Sequence, residues 1–203
     1  MKITVFGAGG ATGQLVVDEA VSRGHQVTAF VRTPGKLTLA AENLTIVQGD
    51  ATDPEAVAAA VSGAAAVVNT IGGVGLGPST QITDCTTTIV DALRGTGAVR
   101  YIGVSTGGAG DSGKQMPLAA RPILVLLRYP IKDHNGAEAA VMRSSLRWTI
   151  ARCPSLTNDP PRGHATASLD RFGGSRLPRA DLARWIVDQL DQDEYVGQAV
   201  ALW

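Results

Sequence analysis

Between an apolar run at residues 2–6 and a helix-length segment opening at Thr12, the chain reads GAGGATG, residues 7–13. This junction constrains the fold more than any other stretch. Gly7 ends a strand and takes the positive φ of a tight turn, Gly10 leaves backbone bare where a ligand comes close, and Gly13 lets the helix pack on the strand. The helix start then offers free N–H groups and the positive end of a dipole, a seat for phosphate. A glycine-rich turn alone says little, because turns select glycine for their own reasons. At the first strand-to-helix junction of an alternating chain it reads as a dinucleotide fingerprint. The spacing is Gly7-x-x-Gly10-x-x-Gly13; a Gly-x-Gly-x-x-Gly reading fails because its third position is Thr12.

The rest of the chain alternates as that reading requires. Short runs rich in Val, Ile and Thr predict strands at 2–6, 26–31, 44–48, 65–70, 99–104, 146–151 and 198–203. Helices are predicted at 12–23, 54–61, 80–93, 132–143 and 178–190. Gly24 and Gly95 stop two of them, Asp53 caps another with Pro54 just inside, and Leu182, Trp185, Ile186 and Leu190 share one face of the last. The order predicts an α/β fold, Rossmann-like and doubly wound, a mostly parallel sheet with helices on both faces, in a single domain over 1–203. Two stretches, 105–129 and 153–177, break the rhythm and predict substrate-side loops.

With 44% hydrophobic residues in 203, the chain buries a sizeable core. Its 18 basic residues cancel 18 acidic ones, so no global field favours nucleic acid or a membrane surface. Cys85 and Cys153 stand far apart, outside any Cys/His cluster, which predicts reduced thiols and neither a metal site nor a disulfide. The N-terminal run is too short for a signal-peptide core, and the longest apolar run, ILVLL at 123–127, cannot cross a bilayer. The expectation is a cytoplasmic protein acting on a small molecule, monomeric or weakly self-associating.

The second strand separates the two nicotinamide cofactors. It ends Phe30-Val31-Arg32-Thr33, with Lys36 shortly after and no acid before Glu42. A carboxylate there would hold ribose hydroxyls and repel a 2′-phosphate, whereas arginine forms charge-assisted bonds to one. NADPH is the expected cofactor. Carbonyl-reducing relatives of this fold use a Tyr-x-x-x-Lys pair as tuned acid. In YPIKD, residues 129–133, lysine stands one place too early and Asp133 fills the lysine position, while Tyr101 lies in a strand without a partner at that spacing.

Together these blocks resemble the atypical short-chain dehydrogenases, the NmrA-like NAD(P)H-binding proteins, and among them the NADPH-dependent flavin reductases of the biliverdin reductase B type. The resemblance runs nearly end to end, through GAGGATG, VRTPGKL at 31–37, VQGDATDPEAV at 47–57, VVNTIGG at 67–73, VSTGG at 104–108, KDHNGAE at 132–138 and SRLPRADLARWIVDQLDQDEYVGQ at 175–198. It implies that Gly7, Gly9, Gly10, Ala11, Thr12 and Gly13 hold the pyrophosphate, and that Arg32, Thr33 and Lys36 hold the 2′-phosphate. Asp50 and Ala51 would meet the adenine, though Asp50 in GDATD reads equally as a turn residue. Ile71, Gly72 and Gly73 would line the nicotinamide ribose, Val104 the cofactor side of the fifth strand, and Pro154 and Ser155 the carboxamide. Ser105 and Thr106 would position the cofactor or bond an acceptor oxygen. His134 matches a family histidine and reads equally as a helix-start residue; His25 and His164 read as loop residues.

The implied activity is hydride transfer from NADPH to a flavin or quinone-like acceptor. Two alternatives stay open: a non-enzymatic NADP(H) sensor of the NmrA kind, and a carbonyl or isoflavone-type reductase using Lys132. Leu156 stands where the flavin reductases carry a histidine, and Val74 near an arginine of theirs, so weak bilin turnover is expected. Between residues 121 and 152, six Lys/Arg face two Asp/Glu, which reads equally as a positive patch for an anionic substrate and as a solvated face.

Overall fold

Seven strands run parallel in one sheet because the chain returns over a face after each of them. The computed structural model describes residues 1–96, 99–116, 119 and 121–203. In chain order it runs β1 (Lys2–Phe6), α1 (Ala11–Ser22), β2 (Gln26–Val31), β3 (Leu44–Gln48), α2 (Pro54–Val61), β4 (Ala66–Asn69), α3 (Gln81–Ala92) and β5 (Arg100–Thr106). Then follow α4 (Arg121–Leu126), α5 (Arg128–Met142), β6 (Arg147–Cys153), β7 (Ser155–Thr157), β8 (Ala167–Ser168), β9 (Arg176–Pro178), α6 (Arg179–Asp188) and β10 (Gln198–Leu202). The sheet order is β3-β2-β1-β4-β5-β6-β10-β8, with only β8 antiparallel, and β7 pairs with β9 apart from it.

Side-chain alternation sorts the core into two layers. From β1, Ile3 and Val5 point to the layer under α1 and α6, where they meet Val16, Val17, Leu182 and Ile186. Phe6 points the other way, to Phe30, Val57, Ile89 and Tyr101 beneath α2, α3 and α5. Strands covered on both faces have no polar side to show, and β4 is buried at every position. The one hydroxyl of β1, Thr4, is satisfied by donating to the Ala60 carbonyl of α2 at 2.8 Å.

Helix ends follow local chemistry. Asp53 caps α2, its carboxylate accepting from Glu55 N–H at 3.0 Å and Ala56 N–H at 3.4 Å, with Pro54 in the first turn. Helix α5 starts four residues before the predicted Lys132, at Arg128. Pro130 falls in its first turn, where a helix N–H has no partner to lose, so proline does not delay the start. The supposed loop 105–129 holds a 3₁₀ turn at Ser112–Lys114 and α4, made by the ILVL run after Pro122; residues 117, 118 and 120 of that stretch lie outside the described residues. The 153–177 stretch likewise carries β7 and β8 and the start of β9. Both stretches are therefore partly ordered into elements.

The chain reverses its direction across the sheet at β1, flanked by β2 on one side and β4 on the other. Ligands of such sheets sit beyond the carboxyl ends of the strands at this switch point. There Gly7 adopts φ +74°, and a Cβ on it would lie 2.8 Å from the Ile71 nitrogen. A Cβ on Gly13 would come within 2.8 Å of Ala8 Cα and closer still to the Gly7 carbonyl oxygen. A Cβ on Gly72 meets nothing within 4 Å. Gly13→Ala is accordingly expected to cost about 3 kcal/mol of stability or more, whereas Gly72→Ala leaves the thermal midpoint within about 2 °C of the parent. Equal midpoints for the two variants would contradict this packing.

Candidate functional site

A groove of about 380 Å³ opens over the switch point. Its near wall is the glycine turn, through Gly7, Gly9 and Gly10. Gly10 is exposed and stands as the N-cap of α1 with no side chain to cap it; Gln14 N–H is the first to bond back, to the Gly10 carbonyl at 2.9 Å. The amides ahead of it in the first turn keep their donors for a ligand. Gln14 adds an unforeseen tie: its amide donates to the Gly9 carbonyl at 3.1 Å and to the Lys36 carbonyl at 2.8 Å, pinning the glycine turn to the segment after β2.

That segment supplies the outer rim. Arg32, Thr33 and Lys36 all line the groove and are exposed. Neither Arg32 nor Lys36 has a carboxylate partner among the described residues. Opposite stand Asp50, Ala51 and Thr52. Asp50 takes the turn role: its carboxylate accepts from Thr52 N–H at 2.9 Å and Thr52 Oγ at 2.8 Å. Those bonds, with the charge of Arg32, hold its pKa below the ordinary carboxylate value. Phe30 forms part of the lining, and a Cβ on Gly49 would press into its ring, 2.8 Å from Cε2.

The far wall is the end of β4. Asn69 is buried and shapes it: its Oδ1 accepts from Ile71 N–H at 3.0 Å, while its amide donates to Thr86 Oγ and to the Tyr101 hydroxyl, both at 3.1 Å. Ile71 and Gly72 line the groove beyond it, with Gln81 and Cys85 from α3. Burial pushes the Cys85 thiol up to about 11, and the Tyr101 phenol up to about 12 against the pull of Asn69 and Thr86. Neither group ionises near neutral pH.

Other residues expected at the site do not line this groove. Gly13 is buried where α1 meets β1, and Ala11 lines a different groove with Gln14, Leu15 and Arg179. Thr12 is half-buried on the first turn of α1. Val104 packs against the α1/α6 core, Gly73 lies against Ile82, and Pro154 and half-buried Thr106 sit at the strand ends. Ser155 opens β7 opposite Arg176. None of these lines the 380 Å³ groove.

Ser105 and His134 do meet, at the end of β5, with Ser105 Oγ and His134 Nδ1 3.5 Å apart. Ser105 is buried, and its hydroxyl donates to Glu138 Oε1 at 2.6 Å. Glu138 is gripped by Arg152, whose Nε reaches Oε1 at 3.1 Å and whose Nη2 reaches Oε2 at 2.8 Å; both side chains are 5% exposed. Arg152 Nη1 continues to Asp111 at 2.5 Å. Burial works against the guanidinium charge, and the two carboxylates more than offset it. The expected positive patch is correspondingly thin, for Arg152 faces inward and Arg147 pairs with Asp193.

Asp133, in the position of the missing lysine, has a structural task. It is buried, and its carboxylate accepts from Ile82 N–H at 3.1 Å, Thr83 N–H at 2.8 Å and Thr83 Oγ at 2.8 Å, closing the start of α3. Tyr129 lies under Arg128, whose guanidinium carbon stands 4.4 Å from the ring centre. The Lys132 side chain is exposed. No group of three or more His, Cys, Asp or Glu is placed to hold a metal, and no helix is long and apolar enough to cross a membrane, among the described residues.

His134 gives the site a pH signature. Burial lowers its pKa below the ordinary 6.5, with the carboxylates of Glu138 and Asp133 pulling the other way. The unfolded chain thus takes up a proton at a higher pH than the native state does. This part of the stability is complete above 6.5 and is lost as the pH falls from there through the folded value. His25, also lowered chiefly by burial, acts in the same direction. The thermal midpoint is expected to decline between about pH 7 and about pH 5, less steeply in His134→Asn; an unchanged slope in that variant would contradict the assignment.

Comparison with known proteins agrees with this geometry. A family described as NAD(P)H-binding matches residues 7–193. The reductase pytE of Aspergillus terreus is 27% identical, over 98% of this chain and 97% of its own. Among solved structures, the anaerobillin reductase ChuY of Escherichia coli O157:H7 is 25% identical with a TM-score of 0.84, covering 100% of this chain and 96% of its own. A short-chain dehydrogenase/reductase of Veillonella parvula in complex with NADP has a TM-score of 0.85 at 21% identity, covering 99% of this chain and 93% of its own. With the glycine turn, the uncapped α1 and the groove at the switch point, these matches show that the chain belongs to the NAD(P)H-binding family.

Proposed function

We propose that the chain is an NADPH-dependent reductase that passes hydride to a flavin or quinone-like ring. The observation that carries this reading is the fate of the Tyr-x-x-x-Lys position: Asp133 there is buried as the cap of α3. Carbonyl reduction leaves a strongly basic oxygen and calls for a positioned proton donor. A conjugated ring spreads the incoming electrons and takes its proton from water, so it asks the protein chiefly for contact geometry. When bound, NADPH supplies the hydride; the ring gains that hydride and one solvent proton, leaving NADP⁺ and a two-electron-reduced ring.

The residues divide the work. The open Gly10 face and the first turn of α1 fit a pyrophosphate, and Arg32 with Lys36, neither of them paired with an acid among the described residues, fits a 2′-phosphate. Ala51 and Ile71, which both line the groove, supply apolar surface for a nucleoside. Ser105, Thr106 and His134, with Pro154 and Ser155, would border the nicotinamide end. The buried, unpaired thiols of Cys85 and Cys153 suit the reducing cytoplasm.

A bilin acceptor is the second reading, favoured by the likeness to ChuY and opposed by Leu156, a half-buried apolar residue. Both readings are tested by mixing the protein and NADPH with FMN, a quinone, biliverdin and an aldehyde, and following nicotinamide absorbance. Oxidation by FMN or quinone is expected, with Tyr129→Phe and Lys132→Met within a few-fold of the parent. Abolition by either substitution, with cofactor binding intact, would favour the carbonyl reductase. Tight NADPH binding without turnover would favour a sensor.

The cofactor preference has its own test. A charge-assisted hydrogen bond contributes roughly 1.5–3 kcal/mol, so Arg32→Ala should weaken NADPH binding about ten- to a hundredfold and spare NADH. Calorimetric titration with both cofactors measures it, and equal affinities in the parent would refute the preference.

A further inference from the structure

The hydroxyl of Ser105 has one hydrogen, and Glu138 has taken it, so His134 Nδ1, 3.5 Å from the same oxygen, can meet only its lone pairs. The bond to Oε1 is 2.6 Å, while the same carboxylate is held from behind by two guanidinium nitrogens of Arg152 at 3.1 and 2.8 Å. A carboxylate so held only accepts. It cannot return a hydrogen to Ser105, and the hydroxyl cannot rotate outward without stranding a buried oxygen lone pair.

The chain has made room for this clamp. A Cβ on Gly110, at φ +57°, would collide with the Arg152 guanidinium, and Gly110 N–H donates to Asn135 Oδ1 at 2.7 Å. Asp111 takes the remaining arm of the arginine at 2.5 Å. The chain bends to pass Arg152, and Arg152 in turn fixes Glu138.

We infer that Glu138, clamped by Arg152, is a positioning residue that turns Ser105 into an acceptor-only hydroxyl, so that the ring reduced at this site presents an N–H to it. The inference rests on the proposed ring-reductase reading and narrows its substrate class. An imide or lactam ring, with N–H between or beside its carbonyls, meets Ser105 with a hydrogen bond. A quinone, which offers only carbonyl oxygens there, meets it with lone pair against lone pair.

The test compares acceptors at saturating NADPH: lumiflavin, lumiflavin methylated on its imide nitrogen, and a benzoquinone. In the parent protein, N-methylation should raise KM about three- to tenfold, the worth of one neutral hydrogen bond. In Ser105→Ala the two flavins should have KM values within a factor of about two, because the bond that told them apart is gone. In Glu138→Gln the new amide can donate to Ser105 and free its hydrogen to point outward, so the quinone should gain on lumiflavin in KM. Should that variant fail to fold beside Arg152, the methylated ligand and Ser105→Ala decide the matter. A KM blind to N-methylation in the parent, or a gap that persists in Ser105→Ala, would overturn the inference and leave the reductase reading standing. No oxidation of NADPH by any of the three, with the cofactor bound, would overturn both.

Discussion

Everything at the cofactor end of the molecule depends on how closely α1 lies on β1. The backbones approach to a distance that no side chain at Gly13 could share, since its Cβ would fall on the turn between Gly7 and Ala8. This contact points the uncapped end of α1 into the space between β1 and β4. It also brings Gln14 within reach of both Gly9 and Lys36. A helix seated further out would still be a helix, but its dipole would end in solvent and the rim carrying Arg32 and Lys36 would lose its anchor.

A second constraint shapes the opposite end. Asp133 and Glu138 lie on the same helix, five positions apart, and both are buried acids with assigned partners. One holds the start of α3, and the other holds Ser105. Burying a carboxylate is costly unless its oxygens are filled. Here two backbone amides and a threonine hydroxyl satisfy one, and an arginine and a serine satisfy the other. Through these two acids, α5 fixes the start of α3 and the hydroxyl of Ser105.

Much of this was legible in the amino-acid order, for reasons of range. Strand β3 and helix α2 fall at the residues predicted, because their signals are local: a short run of Thr, Ile and Val in one, Asp53-Pro54 in the other. The glycine turn and the rim at Arg32 were legible for the same reason, and both line the groove. What escaped was set by contacts between distant segments. Nothing near Glu138 in the chain announces Arg152, and Asp133 looks like a surface acid until α3 arrives to use it. The count of basic residues over 121–152 left a positive patch and a solvated face equally open because counting ignores direction, and two of those arginines are occupied by acids. Helix α5 begins at Arg128, four residues before the predicted start, with Pro130 in a first turn where it breaks no bond.

Cys85 shows what burial does for a protein that binds a redox cofactor. Its sulfur borders the groove, yet its surroundings hold the proton on until about pH 11. The species that attacks peroxides, quinones and disulfides is the thiolate, and almost none of it exists at neutral pH. An electrophile that enters the groove therefore meets a sulfur that behaves as a small apolar side chain. This part of the groove wall carries a sulfur whose nucleophilic chemistry is suppressed by burial alone.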